Sequence, residues 1–497
     1  MHRIKEATVP VFLLAFIVRL LFLIFFRDSF IDSGRMIPLA TMASTFADSG
    51  RFCNDPEFID LFGKTIDADP PVRRNLEFYR VEKSIGRTAR CVQKAEITDA
   101  PGYAVLLGLF WKVFPVKSYI YLQLLQLLLD CGATICIMSI VRRLSGNGTI
   151  AWWAGVAYAC FPTFALLTVV ASRDYYASWG AVFSLDLFLR NVYAKRSPAG
   201  YVLSGTVLAL FSWFRPTVFL LPGVFTVATM LLVKRHRISD AVGAAIGTAV
   251  PVVLLFILPF GLQYHRAYGT GNFTKGMTGG MLWEGLGRFS DKYHFVCNDK
   301  IAYKRAVELG YPDGAPAWVP AYSELLMRDA LRVMKKDPLW YAGTVIRRYV
   351  RFFFARPLFP LSEHGQVSFR NNRKPLTVFI RRYPVIAFEK AVKTVAALLM
   401  PLLAVAALFL CRRAWRPVAV LIMVWQYRIL VGVGTHLEDR YVMECYFPVV
   451  ILTVWSLHTL VHTIGTRKAV PHFSADEESP VTVVPFESAS TSDHSER

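Results

Sequence analysis

The chain has 497 residues, 54% of them hydrophobic, and a formal charge of +20. A soluble enzyme interrupts its apolar residues every few positions, whereas here apolar runs of about 17 to 25 residues recur, the length that crosses a bilayer as a helix. That excludes a soluble globular protein, and it disfavours nucleic-acid binding, because no soluble basic domain is there to carry the excess charge.

The first run, Val9 to Phe26, is longer than the apolar core of a signal peptide and no small-residue cleavage site follows it. It reads as a retained first span. At its end, Arg27-Asp28-Ser29-Phe30-Ile31-Asp32 sets two carboxylates where a membrane helix meets water. There a carboxylate can stay charged and face a polar cavity. A polar segment, 27–100, follows, and within it Met36–Ala47 has the amphipathic pattern of a membrane-surface helix. Further apolar segments fall near 102–116, 119–141, 149–172, 175–190, 199–214, 216–233 and 241–262. A second polar region covers 263–392, and three more spans are expected near 393–411, 416–434 and 442–463. The tail after Thr466 is acidic and Ser-rich, a composition expected to stay disordered.

The short loops fix an expected orientation by their basic residues. Arg142-Arg143, Lys195-Arg196, Lys234-Arg235-His236-Arg237, Arg412-Arg413 with Arg416, and Arg467-Lys468 can all be cytoplasmic if 102–116 does not cross. This gives about ten crossings with both termini inside, and 102–116 as a re-entrant or surface helix. An eleven-helix arrangement, with 102–116 spanning, would place Arg142-Arg143 outside. In the first arrangement both long polar regions lie outside. So do the turns bearing Arg173-Asp174, Arg215-Pro216 and His436-Leu437-Glu438-Asp439-Arg440. The expected architecture is an all-α polytopic membrane protein of 10–11 helices in four parts. A transmembrane module, 1–262, carries the outer loop 27–100. It is followed by an outer region with juxtamembrane helices, 263–392, three C-terminal spans within 393–464, and a cytoplasmic tail, 465–497. Cys53 and Cys91 share the first outer loop, where an oxidising exterior permits a bridge; unpaired thiols are the equal alternative. No CxxC pair suggests a zinc site.

Several short motifs occur in a telling order. They are Thr98-Asp99-Ala100-Pro101-Gly102-Tyr103, Arg142-Arg143-Leu144-Ser145-Gly146, Ser172-Arg173-Asp174-Tyr175-Tyr176 and Phe214-Arg215-Pro216-Thr217. Late in the chain stands Glu438-Asp439-Arg440-Tyr441, with Pro448 beyond it. With Thr278-Gly279-Gly280 and the Asp329-Ala330 to Lys336-Asp337-Pro338 stretch, this order resembles the GT-C glycosyltransferases over nearly the whole of 1–463. The nearest branches are the protein-O-mannosyltransferase and aminoarabinose-transferase groups. Three departures stand out: Met36 where the family has an aromatic after its first-loop Asp, Asp99-Ala100 before Pro101 where it has Pro-Pro-Gly-Tyr or His-Pro-Pro, and Met443-Glu444 where its Arg-Tyr motif carries a proline.

The resemblance implies an integral enzyme of a bacterial inner or plasma membrane. It would move a sugar from a polyprenyl-phosphate carrier to an acceptor on the outer face, with the bilayer as partner and no cofactor beyond the donor. Asp32 matches the family's base, with Asp28, closer to the span end, as helper or helix terminus. A partly desolvated carboxylate suits general-base work because burial raises its pKa. Asp174 either orients the acceptor or caps a helix. Tyr103 lines the cavity or sits at the membrane interface. Arg440, and Arg215 after it, suit the phosphate, since the guanidinium fork matches phosphate oxygens. His436 and Glu438 beside Arg440 are further binding residues, with no metal expected. Two other classes stay open at this stage: a polysaccharide polymerase or ligase, and a transporter or flippase of lipid-linked sugars.

Overall fold

The computed structural model of the chain describes residues 2–26, 36–50, 101–114, 116–170, 173–194, 196–233, 237–287, 292–315, 317, 319–355, 384–434 and 439–466. Asp28, Asp32, His436, Glu438, the Cys53–Cys91 pair and the tail beyond 466 lie outside these residues. Within them the protein is helical, with no β-strand. Among the described residues six helices are long and apolar enough to cross a membrane: Thr8–Phe26, Ile120–Ser145, Ile238–Tyr268, Lys390–Leu410, Arg412–Val433 and Phe447–Ile464. The chain is an all-α polytopic membrane protein.

The remaining predicted spans appear as shorter or more polar helices. The elements in order begin with α1 (His2–Phe26), α2 (Met36–Ser49), α3 (Gly102–Val113), α4 (Ile120–Ser145), α5 (Gly148–Cys160) and α6 (Pro162–Leu167). The segment expected as one span over 149–172 is therefore broken after Cys160. Pro162 has no N–H to continue the helix, and it pushes Phe161 into an extended conformation. Then come α7 (Asp174–Tyr193), α8 (Pro198–Ser212), a 3-10 turn at Pro216–Val218 and α9 (Leu221–Leu232). Next α10 (Arg237–Val252) runs into α11 (Leu258–Tyr268) through a π-helical turn at Val253–Ile257, flanked by Pro251 and Pro259. A widened turn of this kind absorbs the backbone groups that proline frees.

The second polar region folds as α12 (Lys275–Leu286), α13 (Asp299–Glu308), α14 (Pro320–Lys336) and α15 (Pro338–Phe353). These helices bury a core of their own around Trp283, Leu286, Phe295, Tyr322 and Leu326. α12 and α14 pack closely at Gly279, where an added Cβ would lie 1.8 Å from the Ser323 carbonyl oxygen. Asp337 caps α15 by accepting from Trp340 N–H at 3.1 Å and also binds Lys292 Nζ at 2.6 Å. The Lys292 hydrogen bond, followed by those from Trp340 and Tyr293, holds the Asp337 carboxyl down at about 2. The last helices are α16 (Pro384–Leu410), α17 (Trp415–Val433), the short α18 (Asp439–Val442), a 3-10 turn at Met443–Cys445 and α19 (Phe447–Thr466).

α3 covers Gly102–Val113 of the segment 102–116. Twelve helical residues rise about 18 Å, well short of the ~30 Å hydrocarbon thickness. It packs against α2 instead, with Gly108 against the Ala43 carbonyl oxygen, where an added Cβ would lie 2.7 Å away.

Two charged clusters tie these helices together, one buried in the bundle and one with its arginines reaching the surface. Asp130 of α4 is fully buried and accepts from Arg19 Nε of α1 at 2.6 Å, Tyr158 Oη at 2.7 Å and Trp179 Nε1 at 2.8 Å. The rest of the Arg19 guanidinium donates to the Ala159 and Tyr158 carbonyls at the end of α5. One ion pair thus pins α1, α4, α5 and α7. At the other end of α4, Asp186 of α7 pairs with Arg143 at 3.1 Å and Arg190 at 2.6 Å. Burying charge is costly unless it is paired and hydrogen-bonded, and the carboxylates of both clusters have partners.

Candidate functional site

Four segments far apart in sequence meet at one end of the bundle. α8 ends at Ser212, and the residues leading to Pro216 leave the helix. Because a proline follows, Arg215 is held extended, with φ −149° and ψ 115°. Its Nε donates to Glu444 Oε1 at 2.7 Å, and its guanidinium lies over the Tyr441 ring at 4.3 Å. Arg428, near the end of α17, donates from Nε to Glu444 Oε2 at 2.9 Å and faces the same ring at 5.4 Å. Thr217 Oγ1 adds a third bond to the carboxylate at 2.6 Å, and Tyr427 Oη donates to the Thr217 carbonyl. Glu444 is fully buried and both arginines are more than nine-tenths buried. Among the described side chains, two guanidinium groups therefore share one carboxylate.

α3 docks against the same turn. Gly102 N–H donates to the Trp213 carbonyl at 2.8 Å, and an added Cβ at Gly102 would stand 2.6 Å from that oxygen. Only glycine permits this approach, and the next residue, Tyr103, is carried in beside α7. The Tyr103 ring meets Tyr176 edge-on at 6.0 Å, and Tyr176 stacks flat on Phe214 at 4.1 Å. Both phenols are buried, and neither hydroxyl has a hydrogen-bond partner among the described residues.

Four of the eight candidate residues are thus gathered. Tyr103 and Arg215 are placed by their side chains. Asp174 and Arg440 are placed by their backbone: Asp174 opens α7 two residues before Tyr176, and Arg440 sits in α18 beside Tyr441. Arg215 is engaged by Glu444, a partner the sequence reading did not give it. Arg428 and Glu444 themselves went unnoticed as site residues. Glu444 registered only as a departure from a motif, and Arg428 was hidden in the apolar run 416–434. A single arginine inside an otherwise apolar span was the available signal, since ionisable residues there face the bundle interior and find partners. Among the described residues no group of three or more His, Cys, Asp or Glu is arranged to hold a metal ion.

No known protein family matches the sequence, and no curated protein does. Among solved structures, an oligosaccharyltransferase of Archaeoglobus fulgidus, AglB, bound to an inhibitory peptide and a dolichol-phosphate, aligns at 12% identity and a TM-score of 0.49. The alignment covers 94% of this chain and 51% of that one. A second structure from Archaeoglobus fulgidus, an oligosaccharyltransferase tethered to an acceptor peptide containing the NVT sequon, aligns at 11% identity and a TM-score of 0.45. It covers 93% of this chain and 50% of that one. The chain spans about half the length of these structures, and at such values the likeness carries no conclusion about its activity.

Proposed function

We propose that the chain is a membrane glycosyltransferase that moves a sugar from a polyprenyl-phosphate carrier to an acceptor on the face of the membrane where the four segments meet. The observation that carries this reading is the buried Arg215–Glu444–Arg428 group beside Tyr103 and the starts of α7 and α18. Two buried guanidinium groups converge there on one carboxylate. Guanidinium groups held in a low-dielectric site stabilise an anion far better than water-exposed arginines do. A lipid-linked phosphate arriving at the membrane boundary is such an anion.

In the proposed reaction the acceptor oxygen forms a bond to the anomeric carbon while the bond from that carbon to the phosphate oxygen breaks. The electron pair leaves on the phosphate, and the acceptor proton passes to a carboxylate. Asp32 is assigned as that base by the family resemblance, with Asp28 beside it and Asp174 orienting the acceptor. Arg440 joins Arg215 and Arg428 at the phosphate, His436 and Glu438 line the acceptor side, and the unpartnered Tyr103 and Tyr176 hydroxyls suit sugar hydroxyls. Glu444 would keep the two arginines in register, so its role is positioning.

Mass spectrometry of the cell-envelope glycoconjugates of a deletion strain tests the reading. Loss of a single sugar from one acceptor, restored by the wild-type gene but not by Asp32→Asn, is expected. An unchanged glycan profile with altered uptake or export of a small molecule would overturn it.

A further inference from the structure

Among the described residues, nothing covers one face of α15, which lies beside a membrane span. The helix runs antiparallel to the last turns of α17. Tyr341 Oη donates to the Gly434 carbonyl at 3.1 Å, Arg348 Nη1 to Val433 at 2.8 Å and Tyr349 Oη to Gln426 Oε1 at 2.8 Å. Further along, Phe353 packs on Trp425 at 4.9 Å. From Gly434 back to Trp425 is nine residues, or about 13 Å of helix rise, and Trp425 lies within a span. α15 therefore descends beside α17 from the membrane boundary into the outer part of the bilayer.

Thr344, Arg348 and Phe352 face α17 and are buried. Away from them, Leu339, Ile346 and Val350 are 84%, 62% and 50% exposed and share one stripe, spaced seven and four residues apart. Arg347 and Arg351, both exposed, form the adjoining row, one residue after Ile346 and Val350. Apolar side chains at this level are at home in acyl chains. A guanidinium beside them snorkels its head towards the headgroup level, where lipid anions lie, and Arg347 Nε also donates to the Gly343 carbonyl of its own helix at 3.2 Å. Two arginines one helical turn apart, next to an acyl-facing stripe, match the phosphate of an anionic lipid and the chain below it.

We infer that α15 is an interfacial helix whose Arg347 and Arg351 bind the phosphate of anionic phospholipids in the leaflet that carries the candidate site. The bound lipid steadies α15 against α17, and α17 carries Arg428. The inference rests on the membrane-spanning architecture and not on the glycosyltransferase reading, so it stands or falls separately.

The test is native mass spectrometry of the purified full chain, titrated in detergent with phosphatidylglycerol, phosphatidylcholine or undecaprenyl phosphate. Wild type should retain phosphatidylglycerol in preference to phosphatidylcholine. Each arginine near an anionic lipid contributes about 1 kcal/mol, or about fivefold, so R347Q/R351Q should weaken phosphatidylglycerol binding roughly 25-fold. R347K/R351K should keep most of it and would report any folding defect specific to glutamine. Equal retention of phosphatidylglycerol by wild type and R347Q/R351Q would overturn the proposal. So would an effect confined to undecaprenyl phosphate, which would assign the arginines to a carrier lipid instead of the bilayer.

Discussion

Replacing Glu444 by glutamine removes the one described carboxylate that holds Arg215 and Arg428 in place while leaving the side chain's shape almost unchanged. Glu444 has no exposed surface and accepts three bonds, from Arg215 at 2.7 Å, Thr217 at 2.6 Å and Arg428 at 2.9 Å. A glutamine offers one oxygen and an NH2 group, so at least one guanidinium then faces a donor. Charge-assisted bonds are worth about 1.5–3 kcal/mol each, and removing one partner of a buried ion pair costs about 3–5 kcal/mol because the remaining charge is stranded. Glu444→Gln should therefore destabilise the protein by about 3–5 kcal/mol, measured as the shift of the unfolding transition when dodecylmaltoside micelles are titrated with SDS. Adding Arg428→Gln to Glu444→Gln should recover part of the loss, since the stranded charge goes with it. A Glu444→Gln protein within about 0.5 kcal/mol of wild type, the scatter of ordinary surface substitutions, would refute the reasoning. It would mean that the two arginines find other anions in the folded state.

The other predictions concern separate parts of the fold. Arg19→Met should cost about 3–5 kcal/mol by stranding Asp130, while Arg19→Met/Asp130→Leu should be closer to wild type in the same titration. A double variant as unstable as Arg19→Met would show that packing, not charge, dominates there. Gly279→Ala should disrupt the α12–α14 contact, because its Cβ would lie 1.8 Å from a carbonyl oxygen with no flexible neighbour to yield. Faster trypsin cleavage within 275–336 would report this, and an unchanged cleavage rate would contradict it. Asp337, held at about 2, lies below its ordinary carboxylate value of about 3.9. Its contribution is therefore present above pH about 4 and lost as the pH falls through about 2. Amide exchange at the start of α15 should accelerate over that window in wild type and show no such step in Asp337→Asn.

The helical architecture was legible because apolar runs of membrane length survive any reading frame of tertiary contacts. The break at Phe161–Pro162 was not taken from the sequence, although the proline was a visible reason for it. At the site, Tyr103, Asp174, Arg215 and Arg440 stood out because they lie in turns, where polar residues attract attention. Arg19, Asp130, Arg428 and Glu444 did not, because each is a single charge within or beside an apolar run. Their partners come from other helices, 111 residues away for Arg19 and Asp130 and 229 for Arg215 and Glu444. Such pairings are set by helix packing and leave no local pattern. What the sequence does offer is the charge itself, in a place where charge is tolerated only when paired.

The central claim is that the sugar–phosphate bond of a lipid carrier is broken at this end of the bundle. It is tested most directly by reconstituting the protein in liposomes with a cell-envelope extract of polyprenyl-phosphate sugars and measuring free polyprenyl phosphate by mass spectrometry. Wild type should release polyprenyl phosphate only when an envelope acceptor fraction is supplied, and Asp32→Asn, inserted at equal density, should release none. Movement of the intact lipid-linked sugar across the liposome membrane without release of polyprenyl phosphate would contradict the account.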